Sequence, residues 1–169
     1  MLFRSIEFHQ TCVQEGIKPI VGMEAYITDG SRHDRKREGG RQPHFHLVLL
    51  AKNEAGYRNL CKLSSLAYVE GFYYKPRIDH EILKAHSEGL IATSACLAGE
   101  INRALLHGEA EKAETCARRY IDIFEPGHFF MELQDHGLPE QKRIIERAPD
   151  LARKLGVPII ATKIGRAHV

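Results

Sequence analysis

The stretch FHLVLLAKNEAGYRNLCKLSSLAYV, residues 45–69, carries the architecture in miniature. Its first seven residues are a short apolar run of Leu and Val, the length of a buried strand. Asn53 follows two residues later, a good N-cap whose side chain can accept from backbone N–H groups of a first helical turn. Helix is predicted from there to about residue 69. A strand passing so quickly into a helix is the building unit of an α/β protein.

The alternation extends in both directions. Upstream, residues 6–15 have helical spacing and stop at Gly16, residues 19–28 are strand-like, and a polar loop covers residues 30–43. Downstream come a Tyr/Pro turn, GFYYKPRID (residues 71–79), a short helix over 79–86 and the strand GLIATSA (89–95). Helices near 99–106 and 109–124, the strand HFFMELQ (128–134) and a helix over 139–155 follow. Gly156 is a natural helix stop and opens onto the last strand, VPIIAT (157–162). Pro149 should kink or split the last long helix. Short connections predict one α/β domain with a largely parallel sheet, open or closed into a barrel. There are no repeats and no low-complexity linker.

Composition bounds the function. The 169 residues are one domain's worth of chain, 43% hydrophobic and 27% charged, as in an ordinary soluble globular protein. A net charge of +2 is far below that of a dedicated nucleic-acid module. No apolar run reaches membrane-spanning length and no leader opens the chain, so a cytoplasmic protein without membrane partners is expected. Cys12, Cys61, Cys96 and Cys116 lack C-x-x-C spacing and read as thiols of a reducing compartment. Ten histidines justify a search for metal ligands.

Three polar residues sit where such strands place functional groups. Glu24 is a carboxylate in the apolar strand VGMEAYI, His46 opens a strand of Leu and Val, and Cys96 lies where IATSACLAGE leaves the sheet for a helix. Carboxylate, imidazole and thiolate are ligand types for zinc and related divalent metals. Each also has a plain structural reading: a solvent-facing edge carboxylate, a satisfied core histidine, a small buried hydrophobe.

At this point a family resemblance enters. From residue 6 to 162 the chain resembles the PHP (polymerase and histidinol phosphatase) domain carried by the alpha subunit of bacterial DNA polymerase III, the replicative polymerase. The stretches that carry it are IEFHQTCVQEGIKPIVGMEAYIT, HFHLVLLAKNEAGYRNLCKLSSLAYVEGFYYKPRID, GLIATSACLAGEI, ELQDHGLPEQ and LARKLGVPIIAT, in family order. The resemblance implies a distorted (β/α)7 barrel whose strand ends hold divalent metals: zinc, manganese or magnesium. The family's ligands come from an H-x-H, an Asp, the His of D-H-G, the Glu of E-A-Y, the His of F-H-L, a Cys or His after S-x-C, and a final D-x-H. Glu24, His46 and Cys96 occupy three of these positions. The first strands, with H-x-H and D-H-G, and the end of the last motif, with D-x-H, are expected to be missing, so the barrel is incomplete.

The two ends of the chain support that expectation. Residues 163–169, KIGRAHV, can be encoded so that they contain AGATCGGAAGAGCAC; residues 1–5, MLFRS, can be encoded by its reverse complement, with GTG as an initiator read as Met. One duplex read on opposite strands accounts for both, as a ligated sequencing adapter would. The domain is therefore expected over residues 6–162, with His168 excluded as a ligand.

Other candidates weigh less. In the loop GSRHDRKREGGRQP, Arg32, Arg35, Lys36, Arg37 and Arg41 could meet phosphate, but Asp34 and Glu38 interrupt them and no aromatic offers a stacking surface. Arg77 is a candidate substrate-binding residue facing a phosphate at the metal mouth, although packing is the better reading for it and for Tyr73 and Tyr74. Cys12, Cys61 and Cys116 fall on helices and read as core, while Glu132 and His136 end another strand and could line the same mouth. The resemblance implies a piece of a DNA-directed DNA polymerase, with DNA and other replicase subunits as partners of the longer chain. Within it the domain would be either a metal-dependent phosphoesterase trimming 3′ ends or a metal-free scaffold for a separate proofreading exonuclease. A stand-alone PHP phosphatase is the remaining alternative. No residue of this piece is assigned a catalytic role, and the piece by itself is expected to be inactive.

Overall fold

The computed structural model describes residues 3–35 and 44–163, with side chains from residue 6 onward. Elements follow in the order α1 (Phe3–Gln14), β1 (Gly22–Thr28), β2 (His44–Ala51), α2 (Glu54–Val69), β3 (Arg77–Ile78) and α3 (His80–Ala85). Then come β4 (Leu90–Thr93), α4 (Glu100–Leu106), α5 (Ala110–Ile123), β5 (Phe129–Gln134), α6 (Pro139–Leu155) and β6 (Ile159–Thr162). The expected alternation is present, with one addition: the Tyr/Pro turn contains the two-residue strand β3.

Six strands form one sheet in the order β3-β1-β2-β4-β5-β6. Parallel pairs join β1 to β3, β4 to β5 and β5 to β6, while β2 is antiparallel to both β1 and β4. The sheet is thus mixed rather than largely parallel. The cause is the connection between β1 and β2, which carries no helix among its described residues; without a crossover the chain turns back on itself. The mixed α/β arrangement is consistent with a partial α/β barrel. Among the described residues β3 and β6 remain the two sheet edges.

Alternation along the strands separates two faces. Phe45, Leu47 and Leu49 of β2 and Ala25 and Ile27 of β1 are buried, joining Leu60, Leu63 and Ala67 of α2 in the main core. Their neighbours Glu24, Tyr26, His46 and Val48 share the opposite face, since Glu24 pairs with Val48 and Tyr26 with His46. Register extends that face to Thr93, the partner of Val48 on β4.

Local chemistry explains the helix ends. Asn53 caps α2 by accepting from the Gly56 N–H at 2.9 Å, and Asp79 caps α3 by accepting from Ile82 at 3.1 Å. Gly156 ends α6 with a left-handed φ of 67°. Helix α6 runs through Pro149 without the expected split. Its packing explains this: Ile144, Ala148, Leu151 and Ala152 are buried along one face, and such burial outweighs local propensity. Cys12 and Cys116 are buried, but Cys61 is exposed on α2 and is not core. No helix of the described residues is long and apolar enough to cross a membrane.

Candidate metal centre

Glu24, His46 and Cys96 meet on the face opposite the α2 core. Glu24 and His46 stand on adjacent antiparallel strands, where a lag of two residues brings a side chain diagonally towards its neighbour. A Glu24 carboxylate oxygen is in direct contact with His46 Nδ1. Cys96 arrives from the far side of β2, its Sγ 3.5 Å from the same nitrogen.

Cys96 gets there on a tight loop, residues 94–99, between β4 and α4. Ala95 takes a left-handed φ of 56°, uncommon for a residue with a side chain. The loop docks on β2 through a hydrogen bond from His46 N–H to Ala98 O, 3.0 Å. Buried Asn102, one turn into α4, donates its amide to the carbonyls of Ala95 (3.1 Å) and Cys96 (3.0 Å). Gly99 is required here, because a Cβ would run into the carbonyl oxygen of Ser94. Several contacts therefore fix the loop that carries Cys96.

One ligand atom from each residue lies within 4.8 Å of the other two. Bonds of about 2.0–2.3 Å to a tetrahedral ion put ligand atoms roughly 3.5 Å apart, so the cysteine–histidine separation suits a shared metal. An oxygen, a nitrogen and a sulfur donor form a set suited to zinc. Burial raises the Cys96 thiol above its usual range, and the nearby carboxylates of Glu24 and Glu132 push in the same direction. The residues present fit a divalent cation.

Residues 1–136 match the PHP domain family. This chain belongs to that family. Among similar curated proteins is the DNA polymerase III subunit alpha of Treponema pallidum (strain Nichols), 47% identical over 161 residues, covering 95% of this chain and 14% of that protein. The Thermus aquaticus subunit alpha is 48% identical over 165 residues (97% of this chain, 13% of the relative). The Chlamydia muridarum one is 53% identical over 141 residues (83% and 11%). The chain thus spans 11–14% of the length of these relatives.

Of the remaining sequence candidates of the PHP chain, Glu132 lies near enough to act on the Cys96 thiol, whereas Arg77 and Arg32 are engaged elsewhere. Arg77 is buried on β3, donating to the carbonyls of Gly71 (3.1 Å), Arg32 (2.9 Å) and Asp34 (2.9 Å), with its guanidinium against the Tyr73 ring. Arg32 pairs with Glu70 at 2.7 Å and Asp79 at 3.1 Å. Tyr73 is half-buried, whereas Tyr74 is exposed. Lys36, Arg37, Arg41 and His168 lie outside the described residues. Glu132 is buried and bonded to Thr93, Thr162 and Gln134. His136 is exposed and bonded to Gln141.

Sequence reasoning missed three contributors. Asn102 sits in an ordinary helical run with no local signal. Tyr26 was recoverable, because it lies two residues from Glu24 and strand alternation puts both on one face. Glu100 was invisible as the hub of a buried network: it receives Tyr120 OH at 2.8 Å and lies 3.3 Å from both His80 Nε2 and Arg119.

Proposed function

We propose that this chain is the PHP portion of a replicative DNA polymerase alpha subunit, and that Glu24, His46 and Cys96 belong to a divalent-metal site for phosphodiester hydrolysis at DNA 3′ ends. The convergence of a carboxylate and an imidazole from two adjacent strands and a thiol from the loop after β4 carries the reading. When bound, such an ion activates water and polarises a phosphoryl oxygen. The chain's own residues supply the donors and their aim. The loop held by Asn102 orients Cys96, and the Tyr26 ring packs edge-on against His46 at 5.2 Å. Arg77 acts as packing, since its donors are engaged by backbone carbonyls.

DNA synthesis, replicase partners and a cytoplasmic location are proposed for the longer chain, the first by similarity to the named relatives. Three ligands hold at most one ion, whereas a catalytic site needs its geometry fixed by several. The 169-residue chain is therefore assigned metal binding with little or no turnover.

Cobalt titration tests this. The wild-type chain should develop thiolate-to-cobalt absorption in the near ultraviolet. Cys96→Ala should abolish it, and Glu24→Gln should weaken cobalt affinity by at least about tenfold, as loss of even an outer-shell partner does. A wild-type chain without the band would support the metal-free scaffold. Metal-dependent 3′-end turnover matching that of a complete PHP domain would overturn the assignment of inactivity.

A further inference from the structure

The Tyr26 ring has a second occupant besides the histidines. His44 and His46 meet it edge-on, with centroids 5.1 and 5.2 Å away and interplanar angles of 84° and 81°. The Lys75 ammonium lies over the ring, 5.3 Å from its centroid. Two ring contacts therefore link a cation to His46, on the face that carries Glu24.

Lys75 differs from the other cations of this region. Arg32 is tied to two carboxylates and Arg77 to backbone carbonyls. Lys75 is exposed, and among the described residues no carboxylate pairs with it. A cation held only by a ring face keeps its N–H donors available to an anion. Its neighbour Tyr74 is 68% exposed and has a left-handed φ of 60°, an outlier for a bulky residue. Its ring meets Tyr73 edge-to-face, with centroids 4.7 Å apart, and stays largely exposed. An ammonium next to an outward aromatic is the combination that tracks a single strand, phosphate on one and base on the other.

We propose that Lys75 and Tyr74 form a contact for single-stranded DNA beside the metal centre, Lys75 taking a backbone phosphate and Tyr74 stacking a base. The placement of the scissile phosphate rests on the metal reading; the strand contact itself does not.

The test uses the full 169-residue chain and a short fluorescent oligothymidylate, with binding measured across a salt series in zinc and in EDTA. Lys75→Gln should lower the slope of log affinity against log salt by about 0.7, the value of one phosphate on a single strand. Lys75→Arg should restore it. Tyr74→Ala should weaken binding about 5- to 100-fold, the effect of losing one stacked base, with the slope unchanged. Lys62→Gln, an exposed lysine on α2, should change neither. No binding by the wild-type chain, an unchanged slope in Lys75→Gln, or an equal fall in Lys62→Gln overturns the proposal. A Lys75-dependent slope in a chain that shows no cobalt–thiolate band would remove the metal reading and leave the strand contact standing.

Discussion

Glu100 shows at the scale of one residue how burial and charge are balanced. Burial alone would raise its carboxyl, but hydrogen bonds from His80 and Tyr120 and the His80 charge outweigh that and hold it below the usual range. Tyr120 is driven the other way, well above its usual value, by burial and the Glu100 charge, and Cys116 beside it is raised to about 12. Arg119, also paired with Asp29, completes the set. A carboxyl with a depressed folded value stabilises the fold above its unfolded value, about 4.3, and that contribution is lost as pH falls through the folded value. The wild-type melting temperature should therefore drop as pH falls below about 4. Glu100→Gln should melt lower at neutral pH but with a shallower acid slope. Glu100→Ala, which strips His80 and Arg119 of their shared partner, should cost about 3 kcal/mol, the low end for breaking a buried pair because Arg119 keeps Asp29. Melting curves from pH 7 to 3 check the signs; parallel wild-type and Glu100→Gln slopes would contradict them.

At the scale of an element, the loop over residues 94–99 matters most, because it carries a proposed ligand out of β4 and back to β2. Its shape is held by Asn102 from α4, by His46 N–H on Ala98, and by the space at Gly99. Asn102→Ala leaves every ligand in place and removes only the clamp. Cobalt affinity should fall about 10- to 100-fold, as for other outer-shell partners, while the thiolate band at saturation keeps its position. A merely destabilised protein would lose melting temperature without that loss of affinity, so both are measured. Unchanged affinity would mean that the backbone bonds of the loop suffice.

Across the whole molecule, the exposed apolar groups are concentrated at particular places. On β6, which among the described residues pairs with β5 alone, Ile159 and Ile160 are 44% and 38% exposed. Ile6, Phe8 and Val13 of α1 are also exposed. An unpaired edge strand with apolar side chains is a template for pairing with another chain, and a lysine on such an edge blunts it. Sedimentation of the 169-residue chain should show larger species as concentration rises, and Ile160→Lys should shift the distribution towards monomer. Monomer at all concentrations in the wild type would show that the β6 edge is protected in solution.

The sequence by itself determined the order of elements apart from the short β3, because the others are announced locally: Asn53 as a cap, Gly156 as a stop, apolar runs as strands. It also singled out Glu24, His46 and Cys96 as candidates, through residue types and the family pattern, and the fold brings the three together. Local signals could not reveal the reversal of β2, which depends on how a long connection closes. Nor could they show that α6 would run through Pro149, because burial of Ile144, Ala148 and Leu151 decides that. Packing is the better reading of Arg77 from sequence, but only the fold shows its partners, the carbonyls of Gly71, Arg32 and Asp34. Cys61 looked like core until α2 turned it outward. The joining of Lys75 to His46 through Tyr26 exists only in the assembled sheet, since β3 and β2 flank β1 while lying far apart in the chain. Short-range chemistry is written residue by residue, but which groups share a face depends on strand register and direction, and those are settled by packing the whole chain at once.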